Sequence, residues 1–487
     1  MYRERIVLWA MVFLSMAVMP HVTAAAEVSP MNIGSRLELF VDSSFIDTMT
    51  GADLRLHSPV PRETVLTFDQ PWEGRHCGYV TIIKDGNLYR LYYRGLSVDK
   101  GDGSNAECTC YAESADGVHF EKPKLGLFEI NGTRDNNAIL HDMPPFSHNF
   151  APFLDARPGI PAEERYKALA GVSTSGLAAF VSADGLHWRK MREEPVITEG
   201  AFDSQNVAFW SEAEQCYACY FRTWTETNYG GFRSISRTTS QDFLNWAEPV
   251  EMSFGDTPRE HLYTNQTRPY FRAPHIYVST AARFMQGRRV VPADQAATLG
   301  VKPEDLADCS DTVLMTSRGG NRYDRTFMEG FVRPGIGLSN WTTRANYAAC
   351  GVVPTSDTEM SMYVQRGYGQ KGQNLQRLTL RTDGFVSVHA PYAGGEFRTK
   401  PLQFAGENLV INYATSAAGS IRVEIQDEAG TPIPGFANGD ADEIIGDEIA
   451  RTVTWKSNSD LESLAGEFVR LRFIMKDADL YSIQFGE

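Results

Sequence analysis

The sequence is poor in several features that would announce a function. Only 7 of its 487 residues are cysteine, too sparse and odd in number for a disulfide framework. At least one must stay unpaired within the chain, and most read as small buried apolar side chains. Cys108 and Cys110 stand two apart in a strand-like run, hence on one face. Cys216 and Cys219 form Cys-x-x-Cys, but no second pair or ligating His follows at zinc-site spacing. No cofactor is therefore expected, and whether a metal sits in the fold stays open. Basic residues are also short: Lys+Arg 46 against Asp+Glu 61 gives a formal charge of -15. Such a surface repels phosphate backbones and anionic headgroups, which sets aside nucleic acid and membrane as partners. No long low-complexity tract occurs, and 11% aromatic with 22% charged residues describes a folded chain.

Long apolar runs are absent beyond the start. Arg3 and Arg5 precede an uncharged stretch from Ile6 to Met19, and Ala24-Ala25-Ala26 offers a small-residue cleavage site before Glu27. Fourteen or so apolar residues fall short of the roughly 20 of a spanning helix. The expectation is a signal peptide over 1–26 and an exported mature protein, periplasmic or extracellular.

Helical periodicity is scarce as well, whereas short alternating runs bounded by Gly, Asp, Asn and Pro fill the chain. Tyr79 to Lys84 and Leu88 to Arg94 flank Asp85-Gly86-Asn87, a hairpin pattern. One motif recurs: Ser114-x-Asp116-Gly117-x-x-Phe120, Ser182-x-Asp184-Gly185-x-x-Trp188 and Ser240-x-Asp242-Phe243-x-x-Trp246, with a degenerate copy from Ser317 to Tyr323 carrying Gly319 in place of the acid. An Asp that accepts bonds from its own turn, followed by a turn residue and an aromatic that packs back, gives the motif a physical sense. Each interval has room for a four-stranded sheet, so the repeat predicts an all-β fold, a five-bladed β-propeller over 32–374. Residues 292–308 break the rhythm and read as a short helical insertion. From about 375 strands continue without the motif, separated by turns such as Thr382-Asp383-Gly384, which predicts a C-terminal β-sandwich over 375–487.

A propeller gathers function at one mouth of its channel, where the inner strands begin. Acids near those positions are Glu73, Asp155, Asp203, Glu260 and Glu359, accompanied by Arg75, His76, His148, Asn149, Asn206, Tyr263, Asn265 and Arg268. Polar groups that read hydroxyls beside rings that stack on sugar faces suit a carbohydrate pocket. Glycoside cleavage needs two carboxyl groups, one to protonate the leaving oxygen and one to attack or to activate water. Glu73 and Asp203 are the expected pair, with Glu359 as a third catalytic carboxylate. The other eight named side chains with Glu260 are expected to bind substrate. Asp116, Asp184 and Asp242 belong to the repeat and read as structural.

Ser240-Gln-Asp242-Phe243-Leu-Asn-Trp246 resembles the blade-edge motif of the invertase- and arabinanase-like glycoside hydrolases of families 32 and 43. Pro71-Trp72-Glu73, Glu164-Arg165-Tyr166-Lys167, Arg268-Pro269-Tyr270 and Glu359-Met-Ser-Met-Tyr363 look like a group of exported bacterial glycosyl-hydrolase-like proteins. The resemblance implies a propeller with a sandwich and a glycosidase activity. The match is partial: Trp72-Glu73-Gly74 stands where invertase-like enzymes carry their nucleophile, there is no Arg-Asp-Pro, and only Asp203 keeps an acid at the matching strand end. Two other readings stay open. One is a non-catalytic glycan-binding propeller. The other is a sialidase- or lyase-type enzyme, since Ser-x-Asp-Gly turns also resemble sialidase Asp-boxes; there Arg75, Arg259, Arg268 and Tyr263 would serve.

Overall fold

In the computed structural model, which describes residues 30–97 and 103–486, five four-stranded antiparallel sheets follow one another along the chain. The expected leader over 1–26 lies outside the described residues. Blade one is Gly78–Asp85, Leu88–Leu96, Glu107–Ser114 and Ala138–Leu140. Blade two is Ala151–Leu154, Tyr166–Ala170, Ala178–Ser182 and Arg189–Lys190. Blade three is Val207–Ser211, Cys216–Glu226, Gly230–Ser240 and Val250–Glu251. In blade four the inner strand is broken into Leu262–Thr264 and Thr267–Tyr270 by Gln266, whose φ is 52°. Ala273–Met285 and Cys309–Ser317 complete its paired core, and bridges from Thr312 to Val332 and from Thr316 to Asp324 add the outer edge. Blade five takes Val353–Pro354, Glu359–Arg366 and Asn374–Arg381 from late in the chain and its outer strand, Val60–Thr67, from early. That strand closes the ring. The fold is the five-bladed β-propeller that the repeat predicts.

The motif works as its chemistry requires. Asp184 Oδ1 accepts from Ser182 Oγ (3.0 Å) and from the amides of Leu186 and His187 (2.9 Å each); Asp116 and Asp242 make equivalent sets. Each turn packs on the preceding blade. A Cβ at Gly185 would stand 2.6 Å from the Tyr92 hydroxyl of blade one, so glycine at φ 77° is required there by space as well as conformation. Phe243 packs edge-on to Phe153 of blade two at 5.6 Å. In the degenerate copy Glu214 of blade three replaces the missing acid, accepting from the Gly320 amide at 3.2 Å. Asp383 occupies the fifth corresponding position, directly after the third strand of blade five. It is fully buried and accepts from Tyr270 and Ser482 hydroxyls (2.7 Å each) and from Asn412 Nδ2 (3.1 Å). Thr382-Asp383-Gly384 is therefore the last propeller turn rather than a turn of the second unit.

The second unit is one ten-stranded sheet around a single apolar core, built on the long antiparallel pair Asn408–Asp427 and Phe468–Gly486. This is compatible with the expected sandwich. Four of its strands, Met31–Gly34, Glu38–Leu39, Ile46–Thr50 and Asp53–Leu56, come from the N-terminal segment. The expected boundaries at 32 and 375 are thus displaced: residues 31–56 pair with the C-terminal strands, and Asn374–Arg381 belongs to blade five. Pairing across more than 300 residues leaves no trace in local pattern.

Glu38 ties the two units together. Its carboxylate is buried between His275 Nε2 (3.1 Å) and Arg318 Nη1 (2.8 Å) of blade four. Burial works to raise its pKa, but the bond to His275 and the charge of Arg318 outweigh it and bring the group from 4.5 down to about 2. A depressed carboxylate contributes stability above its unfolded pKa and loses it as pH falls through the folded one. Glu38→Gln is expected to destabilise the protein at pH 7 by about 3 kcal/mol, the shift being roughly two units. The gap to wild type should narrow from about pH 4.5 towards pH 2 in urea titrations at stepped pH. Equal stability at pH 7 would show that this junction contributes nothing.

All seven cysteines are buried and unpaired, as small core residues. The insertion forms the helix Ala293–Leu299 and the 3-10 turn Pro303–Leu306, as expected. Among the described residues no helix is long and apolar enough to cross a membrane.

Candidate functional site

Inner strands begin at one mouth of the propeller, and the antiparallel order brings the ends of the second strands and the starts of the third to the same mouth. Below it the channel is filled. Gln205 donates to the Val80 carbonyl (3.3 Å) and to Thr81 Oγ1 (2.7 Å) of blade one. Gln266 reaches Gln205 Oε1 (2.7 Å) and the Ala348 carbonyl (2.8 Å). Arg268 bonds the Pro152 and Ala208 carbonyls and Cys350 Sγ (3.1 Å). These three side chains link all five inner strands and, among the described residues, fill the channel below the mouth.

What lies on top is a pocket of about 820 Å³ lined by His76, Arg94, Arg233, Tyr263, Phe284, Arg344 and Tyr368, walled on one side by the insertion residues Glu304, Asp305 and Asp308. Tyr263 is its centre. The centroid of its ring lies 4.8 Å from the guanidinium carbon of Arg222 and 5.5 Å from those of Arg233 and Arg344. Burial raises the Tyr263 phenol, but the positive charges of Arg344 and Arg222 prevail and hold it below the usual tyrosine range. Tyr347, 5.2 Å away ring to ring, is pushed up instead, by burial and by the neighbouring Tyr263 charge. Arg222 also pairs with Asp203, whose side chain is 40% exposed. Tyr79 donates to the Asp203 carbonyl at 3.0 Å and takes φ 53° to do so.

The expected site residues separate into two groups. Tyr263 and His76 line the mouth pocket and Asp203 adjoins it through Arg222; His76 lies 3.7 Å from Asp305. His148 is buried one layer below, 2.8 Å from Glu107 Oε1 and 3.1 Å from Arg94. Asn149 and Asn206 are buried and bond the Phe202 carbonyl, which fixes the loop that carries Asp203. Asn265 and Arg268 are channel scaffold. Arg75 faces another depression and bonds the Gly300 carbonyl at 3.2 Å.

The other two catalytic assignments are corrected. Glu73 is fully buried where blades one and five meet, accepting from Tyr93 Oη (2.7 Å), Lys122 Nζ (2.8 Å) and the Gln70 amide (2.8 Å). The turn at Gly74, φ 69°, sends the chain onward to the mouth and leaves the Glu73 side chain behind in the blade. Glu359 starts a second strand, so it sits at the opposite end of the ring, paired with Arg377 (3.0 Å) and Arg62 (3.6 Å). Glu260 is likewise removed, locked between Arg283 (3.0 Å) and Arg325 (2.6 Å). Arg259 pairs with Glu251 at 2.6 Å on a blade rim. The arginines around Tyr263 are thus not Arg75, Arg259 and Arg268 but Arg222, Arg233 and Arg344. In the blade-three hairpin Arg222 pairs with Ile235 and Trp224 with Arg233, so the two arginines stand on adjacent strands near the turn. Among the described residues no group of three or more His, Cys, Asp or Glu side chains converges so as to hold a metal.

No family model matches the sequence, and no curated protein does. Among solved structures the chain is similar to an N-acetylgalactosamine deacetylase from F. plautii at 12% identity, covering 68% of this chain and 96% of that one with a TM-score of 0.43. It is also similar to a β-1,2-mannobiose phosphorylase from Listeria innocua at 10% identity, covering 68% and 97% with a TM-score of 0.44. Likeness this distant bears on no residue, and none is carried across.

Proposed function

We propose that the protein is an exported enzyme that cleaves a glycan at the propeller mouth, with Tyr263 and Asp203 as its reacting groups. The observation that carries this reading is the phenol of Tyr263, ringed by three guanidinium groups at the edge of an open pocket and held below its ordinary range. A phenol whose ionised form is favoured in this way is a better nucleophile or base than an ordinary tyrosine. Asp203 shares Arg222 with it and supplies a carboxyl group able to exchange a proton with the leaving oxygen or with water. Rings of Tyr368, Phe284 and His76 offer faces for a sugar, and the pocket's volume suits one or two residues of an oligosaccharide. A pair of carboxylates in the manner first expected lacks its second member here, since Glu73 and Glu359 lie elsewhere.

A glycan panel with product identification tests the proposal. Asp203→Asn is expected to lower kcat on the responding glycan by roughly 100-fold, with the fold intact by circular dichroism. An Asp203→Asn protein as fast as wild type, or a wild type that binds glycans and turns none over, would leave a binding module as the better description.

A further inference from the structure

The charges around Tyr263 do not balance. Among the described residues, Arg222, Arg233 and Arg344 bring three positive charges, against at most two negative ones in their contacts, Asp203 and the Tyr263 phenolate. Among the described residues Arg233 and Arg344 have no carboxylate partner, and Nε and Nη1 of Arg233 are buried without any hydrogen bond. None of the acids on the facing wall forms an ion pair with them: Asp305 lies against His76, Asp308 accepts from the Gly287 amide at 2.7 Å, and Glu304 only lines the pocket. Other half-buried arginines are answered by acids, Arg283 by Glu260 and Asp311 and Arg318 by Glu38 and Asp42, whereas Arg268 and Arg366 are met by neutral acceptors within the fold. Burying a guanidinium without a counter-charge is costly, and at the lip of a pocket a ligand can relieve it. The rest of the surface is acidic, with a formal charge of -15 for the chain, so this basic spot is local rather than part of a general field.

From this we infer that the sugar taken at the mouth is anionic, its carboxylate or sulfate ester held by Arg233 and Arg344 while the ring lies over Tyr263. The inference rests on the glycan reading above but concerns binding alone. Both guanidiniums line the pocket, whereas Arg222 lies behind them under Asp203. A planar fork can hold either oxyanion through two parallel bonds, and a neutral sugar would leave both cations unanswered.

The test is equilibrium binding by calorimetry to the full-length mature chain, using the Tyr263→Phe protein so that turnover does not intervene. Galacturonic acid, glucuronic acid and N-acetylneuraminic acid are compared each with its methyl ester, and galactose 6-sulfate with galactose. At least one anion should bind about 10- to 100-fold more tightly than its neutral counterpart, the range of a charge-assisted bond. The pair that responds distinguishes carboxylate from sulfate. Arg233→Met should remove most of that preference and leave the neutral counterpart's affinity as it was, and Arg233→Lys should restore part of it. If Arg233→Met does not fold, Arg344→Met and the comparison within the parent protein carry the test. Equal binding of each charged and neutral pair, or no binding of any anion at millimolar concentration, overturns the inference. Anion preference without turnover of any glycan by the wild type would retain it and defeat the catalytic proposal, while turnover of a neutral glycan with no such preference would do the reverse.

Discussion

Tyr263→Phe should lower turnover by about 1000-fold, the scale of losing a positioned proton-transfer or nucleophilic group, while leaving the fold in place. The substitution removes one oxygen. The ring keeps its contacts with Tyr347 at 5.2 Å and Phe284 at 5.6 Å, so packing changes little. What goes is the group that Arg344 and Arg222 make acidic. The direction of the pH dependence follows: the active phenolate is lost as pH falls through the lowered pKa, so kcat should rise with pH and level off before the ordinary tyrosine range near 10. Alkaline absorbance titration gives a second readout independent of substrate. Wild type should show one phenol ionising ahead of the others, and Tyr263→Phe should lack it. If the two titration curves superimpose, the arginine field does not act on Tyr263 as described, and if kcat is retained as well the site is misassigned.

How much of this was legible beforehand depends on what each residue answers to. The Asp turns were legible because Asp116, Asp184 and Asp242 act within a few residues of themselves. Their partners on the preceding blade, such as Tyr92 beneath Gly185, were not, since they stand far away in the chain. Asp203, His76 and Tyr263 were found at the mouth because they sit where inner strands begin. Arg222, Arg233 and Arg344 were missed for a related reason. Arg222 lies near the end of a second strand and Arg233 near the start of a third, and antiparallel order returns both to the mouth. The same parity places Glu359 at the far end, as the first residue of a second strand. Counting strand direction around each blade would have recovered two of the arginines and rejected that acid. Arg344, in a loop with φ 57°, carries no such periodicity, and only the fold brings it over Tyr263.

Glu73→Ala should act on stability and leave chemistry alone, with a cost of about 3 to 5 kcal/mol, the range for breaking one side of a buried ion pair. The carboxylate is fully buried and serves three donors, of which Tyr93 would lose its acceptor in the interior and Lys122 would keep only the Thr67 carbonyl at 2.6 Å and Asp69. Lys122 has a second acid, Asp69 at 3.1 Å, but that side chain is 61% exposed and cannot take over the buried position. Trp72, beside it, is bonded through Asn137 Oδ1 at 2.8 Å, and Asn137 donates in turn to the Tyr93 hydroxyl at 2.8 Å, so the loss spreads into a shared network. This cluster seals blade one against blade five, whose outer strand, Val60–Thr67, closes the ring. The urea midpoint should therefore fall, and the protein should grow more sensitive to proteolysis near that junction. Because the cluster opens into no pocket that contains Tyr263, kcat per folded molecule should match wild type. A Glu73→Gln protein that keeps its stability and loses turnover would return Glu73 to the catalytic site and place the reaction on a pair of carboxylates after all.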